Sequence, residues 1–223
     1  MKHTEQEMIL LKEEVNRMWQ LVLSQLEKAR QAFLTNDTDL AREVISREKR
    51  VDVCELKIES DCENYIALYS PVAIDLRLTL SLMKICSTLE RIGDFAAGIA
   101  MHVLDEDCQG IPTSLIEKLE MEQMFTVLQG MLSDCYVALE SENTQIAGRI
   151  FSRDKEVNAI YHAAPKVLAQ FLTEHPEHIY CGLKLLLLIR KLERIGDHCG
   201  NIVEEIVFYV DAKVLKHNKS KAD

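Results

Sequence analysis

The hexapeptide Leu89-Glu90-Arg91-Ile92-Gly93-Asp94 returns unchanged as Leu192-Glu193-Arg194-Ile195-Gly196-Asp197, displaced by 103 residues. Three of its six residues are charged and one is glycine, so simple compositional bias does not explain the recurrence. It marks two copies of one structural unit. The flanks extend the repeat: apolar or small residues at Leu78, Leu82, Ile85, Leu89, Ile92, Ala96, Ile99 and Val103 all have apolar or small counterparts, from Cys181 to Ile206, at the same displacement. Their steps alternate between four and three, the rhythm of a long helix buried along a seam. Glu90 and Asp94 fall on the flank of that seam, four residues apart. Both carboxylates therefore share one helix face, directed away from the core.

The rest of the chain divides on the same plan. A first helix is predicted from about 4 to 34, with Leu11, Val15, Met18, Val22, Ala29 and Phe33 along its apolar stripe. Thr35-Asn36-Asp37-Thr38 supplies turn and N-cap chemistry. A second helix runs from about 39 to 69, with Leu40, Val44, Val51, Cys54, Ile58, Tyr65 and Leu68 on its seam and Glu48, Asp52, Glu55, Glu59 and Glu63 one position round from it. Ser70-Pro71 closes it, because proline cannot continue the hydrogen-bond ladder. The third helix, about 72 to 104, carries the first hexapeptide. Residues 105–112 read as the linker between units. A fourth helix follows from about Thr113, a fifth runs to about Thr173 with Pro165 as a kink or frayed point, and a sixth ends near Tyr209. The polar segment from Lys213 to Asp223 reads as a frayed tail. The expected fold is all-α, two tandem sequence-related three-helix bundles built from six long antiparallel helices, with units at 1–107 and 108–223.

Composition agrees with such a fold and narrows its partners. Apolar residues make up 48% of the 223, enough for two cores, while eight glycines and four prolines leave little for a loop-rich architecture. The net charge of −10 repels a nucleic-acid backbone and favours cations or basic protein surfaces. Seven cysteines with no C-x-x-C spacing read as reduced, core-filling thiols of a cytoplasmic protein. Residues 1–11 carry acids and no apolar signal region. The longest apolar run, Leu185 to Ile189, is far too short to span a bilayer, so membrane association is expected only through a partner.

Antiparallel packing of the second and third helices lets Glu48 and Asp52 face Glu90 and Asp94. Four carboxylates held together repel unless protonated or bridged by a cation. All-oxygen ligation suits a hard divalent ion such as Mg²⁺, Mn²⁺ or Ca²⁺; iron or zinc is a further candidate. A solvated charged face is the plain alternative for any single E-x-x-x-D pair. In the second unit Asp154, Glu193 and Asp197 take the corresponding positions, but Asn158 stands where Asp52 does, which predicts a weaker site. Gly93 and Gly196 each cost about 1 kcal/mol relative to alanine inside a helix. They call for a close helix crossing or for room beside the aspartates. His198, next to Asp197, reads as a surface residue, and Arg91 and Arg194 as surface partners of the aspartates three residues on. No Glu-x-x-His pair of the oxygen-activating di-iron type, no phosphate loop and no H-E-x-x-H is present. The chain does not read as an enzyme.

Pro71-Val72-Ala73-Ile74-Asp75-Leu76-Arg77 opening the third helix, the doubled hexapeptide, and His198 with Asn201-Ile202-Val203-Glu204 resemble the PhoU family of phosphate-transport regulators over nearly the whole chain. The resemblance implies a cytoplasmic, often dimeric protein of two three-helix bundles. It implies a negative regulator of the phosphate-starvation response, linking a phosphate ABC transporter to a membrane sensor histidine kinase. Some members of that family carry metal ions or clusters on (Glu/Asp)-x-x-x-Asp pairs. Here those pairs are Glu48/Asp52 and Glu90/Asp94 in one bundle, and Asp154 with Glu193/Asp197 in the other.

Overall fold

A computed structural model describes residues 2–108 and 110–215 of the chain. Among them the structure is helical throughout: α1 (Lys2–Thr35), α2 (Thr38–Tyr69), α3 (Ala73–Val103), α4 (Thr113–Lys118), α5 (Met121–Ser141), α6 (Ala147–Glu174) and α7 (Ile179–Asp211), with single 3₁₀ turns before α4, α6 and α7. Helices α1, α2 and α3 form one bundle, and α5, α6 and α7 the other. The tail from 216 on lies outside the described residues.

The turns between the first two helices of each bundle are built alike. The Asp37 carboxylate accepts hydrogen bonds from the backbone N–H groups of Asp39 and Leu40 at 3.0 and 2.9 Å, and Asn143 accepts from Gln145 N–H at 3.0 Å. These two caps are displaced by 106 residues, whereas the signature helices are displaced by 103, so the second copy has lost three residues between its second and third long helices. The displacement of 106 makes Glu48 the counterpart of Asp154, Asp52 of Asn158, Val51 of Val157 and Gln25 of Met131.

Two expectations are corrected. The helix predicted from Thr113 breaks at Glu120, whose φ of 51° lies in the left-handed region. The break reorients the chain so that Leu115 and Leu119 on one side and Met121 on the other are all buried. Helix α6 runs through Pro165 to Glu174, close to its predicted end, although the proline removes the donor that would serve the Tyr161 carbonyl. Leu68 is 75% exposed, and the seam of α2 runs instead through Ala41, Val44, Val51, Ile58, Cys62 and Tyr65. The thiols are free as expected; six of the seven are buried.

The bundles join along α3 and α7, which run antiparallel. Arg77 Nε donates to the Tyr209 carbonyl at 3.2 Å, one of the last four carbonyls of α7 and so without an intrahelical partner. Ser81 Oγ donates to the Glu205 carbonyl at 3.2 Å, and Lys84 Nζ reaches the Glu205 carboxylate at 3.1 Å. Further along, Phe95 stacks on His198 with centroids 5.6 Å apart, and Lys184 pairs with Asp105 at 3.3 Å. Helix α1 meets α5 behind this seam: fully buried Trp19 donates its indole N–H to the Leu132 carbonyl at 3.3 Å, and Phe33 lies 5.8 Å from Phe125. The buried side chains of both bundles merge into one core.

Trp19 ties the two bundles together from inside that core. Trp19→Ala is expected to lower stability by about 3–5 kcal/mol. Urea unfolding followed by far-UV circular dichroism checks this, with one transition covering both bundles in the wild-type chain.

Candidate metal centre

Each hexapeptide delivers its glutamate and aspartate to the flank of a signature helix, where a neighbouring helix brings further acids. In the first bundle one carboxylate oxygen from each of Asp52, Glu90 and Asp94 lies within 4.8 Å of the other two. Among the described residues this is the one group of three or more acidic, histidine or cysteine side chains so gathered. Glu48 stands beside it: its carboxyl is pushed above the usual range by burial, then by Asp94 and Asp52. Glu90 is half-buried and is raised to about 7, by burial first and then by Asp94, Glu55 and Asp52. The sequence reading placed these acids on an outward face; Asp94 is exposed, but Glu90 and Asp52 are partly withdrawn from water.

The second bundle is looser. Burial, then Asp197 and Asp154, raise the Glu193 carboxyl, while Arg190 and Arg194 oppose the rise. Asn158 turns its amide Nδ2 to the Asp154 carboxylate at 3.2 Å. The side chain that replaces Asp52 thus supplies a donor where the first bundle supplies an acceptor.

The signature glycines admit the neighbouring helices. A Cβ at Gly93 would stand 3.3 Å from both Gln25 Oε1 and Val51 Cγ1; one at Gly196 would stand 3.0 Å from Asp154 Oδ1 and 3.4 Å from Leu128 Cδ2. Both are close crossings, and in both a side-chain oxygen occupies the space over the glycine.

His198 is corrected from surface to interior. It is 7% exposed, stacked on Phe95, and neither ring nitrogen has a hydrogen-bond partner among the described residues. Burial, then Arg91 and Arg194, lower its pKa and favour the neutral ring, against Asp197. The Arg194 guanidinium lies 5.5 Å from the Phe95 ring centre, a cation–π contact across the bundle seam. Two residues beside the centre were not among the sequence-derived ligands. Glu55 stood in the acidic row of α2 without being singled out. Gln25 could have been found as a polar residue within the apolar stripe of α1, between Val22 and Ala29.

The donor set is chemically suited to a cation. Carboxylates that raise one another's pKa need either a proton or a positive ion, and their oxygens are hard ligands. Asp52, Glu90 and Asp94, with Glu48 alongside, would hold such an ion in the first bundle; Asp154, Glu193 and Asp197 form the weaker set.

Fold and site together define a class: an all-helical tandem repeat in which paired signature helices each carry an acidic pair at their flank. Two stretches, residues 15–103 and 121–206, match the PhoU domain family model, and the chain belongs to the PhoU family. It is 34% identical to the "Phosphate-specific transport system accessory protein PhoU homolog" of Caulobacter vibrioides over 218 residues, 98% of this chain and 94% of the relative. It is also 34% identical to the "Phosphate-specific transport system accessory protein PhoU" of Escherichia coli K12 over 207 residues, 93% of this chain and 85% of that protein. Among solved structures, the phosphate transport system regulatory protein PhoU of Streptococcus pneumoniae superposes with a TM-score of 0.84 at 31% identity, covering 95% of this chain and 99% of that one.

The raised Glu90 carboxyl has a definite consequence for stability in the absence of metal. Its pKa is higher in the folded state, about 7, than the ordinary glutamate value of 4.5, so the native state binds the proton more tightly than the unfolded state. Stability therefore falls as pH rises from about 4.5 through about 7, and levels off above that. Urea midpoints of chelator-treated protein across this window are expected to show the decline, and Glu90→Gln is expected to flatten it.

Proposed function

We propose that the chain is a negative regulator of the phosphate-starvation response, an adaptor that couples a phosphate ABC transporter to a sensor histidine kinase in the cytoplasm. The observation that carries this reading is the match of both halves of the chain to the PhoU domain, since the relatives named above are accessory proteins of the phosphate-specific transport system. No helix among the described residues is long and apolar enough to cross a membrane, so contact with a membrane kinase or transporter runs through protein surfaces. In this reading the protein works as a homodimer. A divalent or iron ion on the carboxylates of the first bundle neutralises an acidic flank and completes a docking surface.

The rival reading is a metal-dependent hydrolase or oxidase using the same carboxylates. A cleft of about 1370 Å³ lies at the end of the bundles between the C-terminal turns of α1 and the start of α5. None of the proposed ligands lines it, and that separation favours the adaptor. Phosphate-ester or oxygen turnover that disappears in Glu90→Ala would favour the rival.

Alkaline phosphatase measured in phosphate-replete cells of the source organism tests the proposal. Deletion is expected to raise the activity, and the wild-type gene to restore repression; failure of Glu90→Ala/Asp94→Ala to restore it would tie the role to the signature face. Low phosphatase in the deletion strain would overturn the regulatory reading.

A further inference from the structure

Gln25 is fully buried in α1, in the core of the first bundle. Its amide Nε2 donates to the Val44 carbonyl at 3.4 Å. Only the NH₂ end of the amide can donate to a carbonyl, so the bond fixes which end points where. It leaves Oε1 directed over Gly93, 3.3 Å from where a Cβ would stand, with no hydrogen-bond partner. An unpaired amide oxygen in a dry core is costly, and native proteins keep few of them. Its counterpart by the displacement of 106 is Met131, also fully buried, so the position tolerates an apolar side chain of similar length.

The second bundle shows what the space over the glycine is connected to. There the atom nearest a Cβ on Gly196 is Asp154 Oδ1, at 3.0 Å, and Asp154 is one of the acids that act on Glu193. Gly93 lies between Glu90 and Asp94 in the first hexapeptide as Gly196 lies between Glu193 and Asp197 in the second. In the first bundle Glu48 leans instead toward Asp94, and the oxygen over the glycine is that of Gln25. Each signature glycine thus clears room for one inward oxygen beside its acidic pair.

We propose that Gln25 Oε1 is a neutral ligand of the cation held by Asp52, Glu90 and Asp94, offered from the core side across Gly93. A hard cation accepts amide carbonyl oxygens alongside carboxylates, though each binds it more weakly than a carboxylate does. A neutral oxygen adds a ligand without adding charge to a group that already repels itself. Val44 lies one helical turn before Glu48, so its carbonyl serves the Glu48 N–H as well as the Gln25 amide; the amide is therefore held in register with α2. The inference rests on the metal reading of the first bundle.

The test is Mn²⁺ binding to chelator-stripped full-length protein by titration calorimetry, with urea unfolding of the metal-free forms alongside. Wild type, Glu90→Gln and Gln25→Met are compared. Gln25→Met, which places the second bundle's residue in the first, is expected to bind Mn²⁺ at least 10-fold more weakly while its metal-free form is as stable as wild type or more so. Unchanged Mn²⁺ affinity in Gln25→Met, with binding lost in Glu90→Gln, would overturn the ligand role and leave the metal centre standing. So would a metal-free form of Gln25→Met that is markedly less stable and binds Mn²⁺ normally, since that is the behaviour of a packing residue. Absence of Mn²⁺ binding in wild type, or binding untouched by Glu90→Gln, would overturn the metal centre and the ligand role together.

Discussion

The antiparallel seam of α3 and α7 is the contact on which the rest of the molecule depends. Both copies of the hexapeptide lie on these two helices, so the seam sets where each acidic pair stands relative to the other. Phe95 and His198, displaced by 103, stack across it, and Arg194 lies over the same Phe95 ring. The polar contacts are distributed along the seam, from Arg77 on the Tyr209 carbonyl at one end to Asp105 on Lys184 at the other. With α3 and α7 packed against each other, α2 can cover only the far flank of α3, and α6 only the far flank of α7. That is where Glu48 and Asp52 meet Glu90 and Asp94, and where Asp154 meets Glu193.

Duplication has been followed by divergence that is chemical more than architectural. The caps at Asp37 and Asn143 still make the same bond to the backbone, and the valines at 51 and 157 still press on the signature glycines. The acids have changed. Asn158 donates to Asp154 where Asp52 would have repelled it, and Arg190 and Arg194 temper the charge on Glu193. The first bundle concentrates negative charge and half-buries it, while the second relieves the same charge internally. A cation has more to neutralise in the first.

The fold was legible because its signals are periodic. A 4-3 rhythm on α3, repeated on α7, specifies two buried helices, and Pro71 and Asp37 mark where α2 ends and begins. The break at Glu120 was not legible: no glycine or proline stands there, and the reason for it is tertiary, the burial of Leu115, Leu119 and Met121 together. Leu68 was misplaced because the buried stripe of α2 runs through Ile58, Cys62 and Tyr65 and leaves Leu68 on the exposed side of the last turn. At the site, the E-x-x-x-D spacing was enough to place the two signature acids on one face, and antiparallel packing was enough to bring Asp52 to them. His198 was misread because its burial comes from the other bundle, from Phe95, which one helix's pattern does not show.

Gln25 shows the same limit from the opposite side. Its sequence neighbours fit an apolar stripe, and a lone polar residue in such a stripe ordinarily marks a pattern error or a surface bend. In the fold it is neither, because it is fully buried and its amide NH₂ is engaged by Val44. What makes the residue intelligible is the glycine opposite. A Cβ at position 93 would press on the Gln25 oxygen and on Val51 together, so the helical cost of glycine, about 1 kcal/mol, is offset by letting α1 and α2 approach α3 at the level of the acids. The invariance of the hexapeptide between the two bundles then follows from packing and charge at once. Its leucine and isoleucine fill the seam, its glycine admits the neighbouring helix, and its two acids are set at the edge of the space the glycine opens.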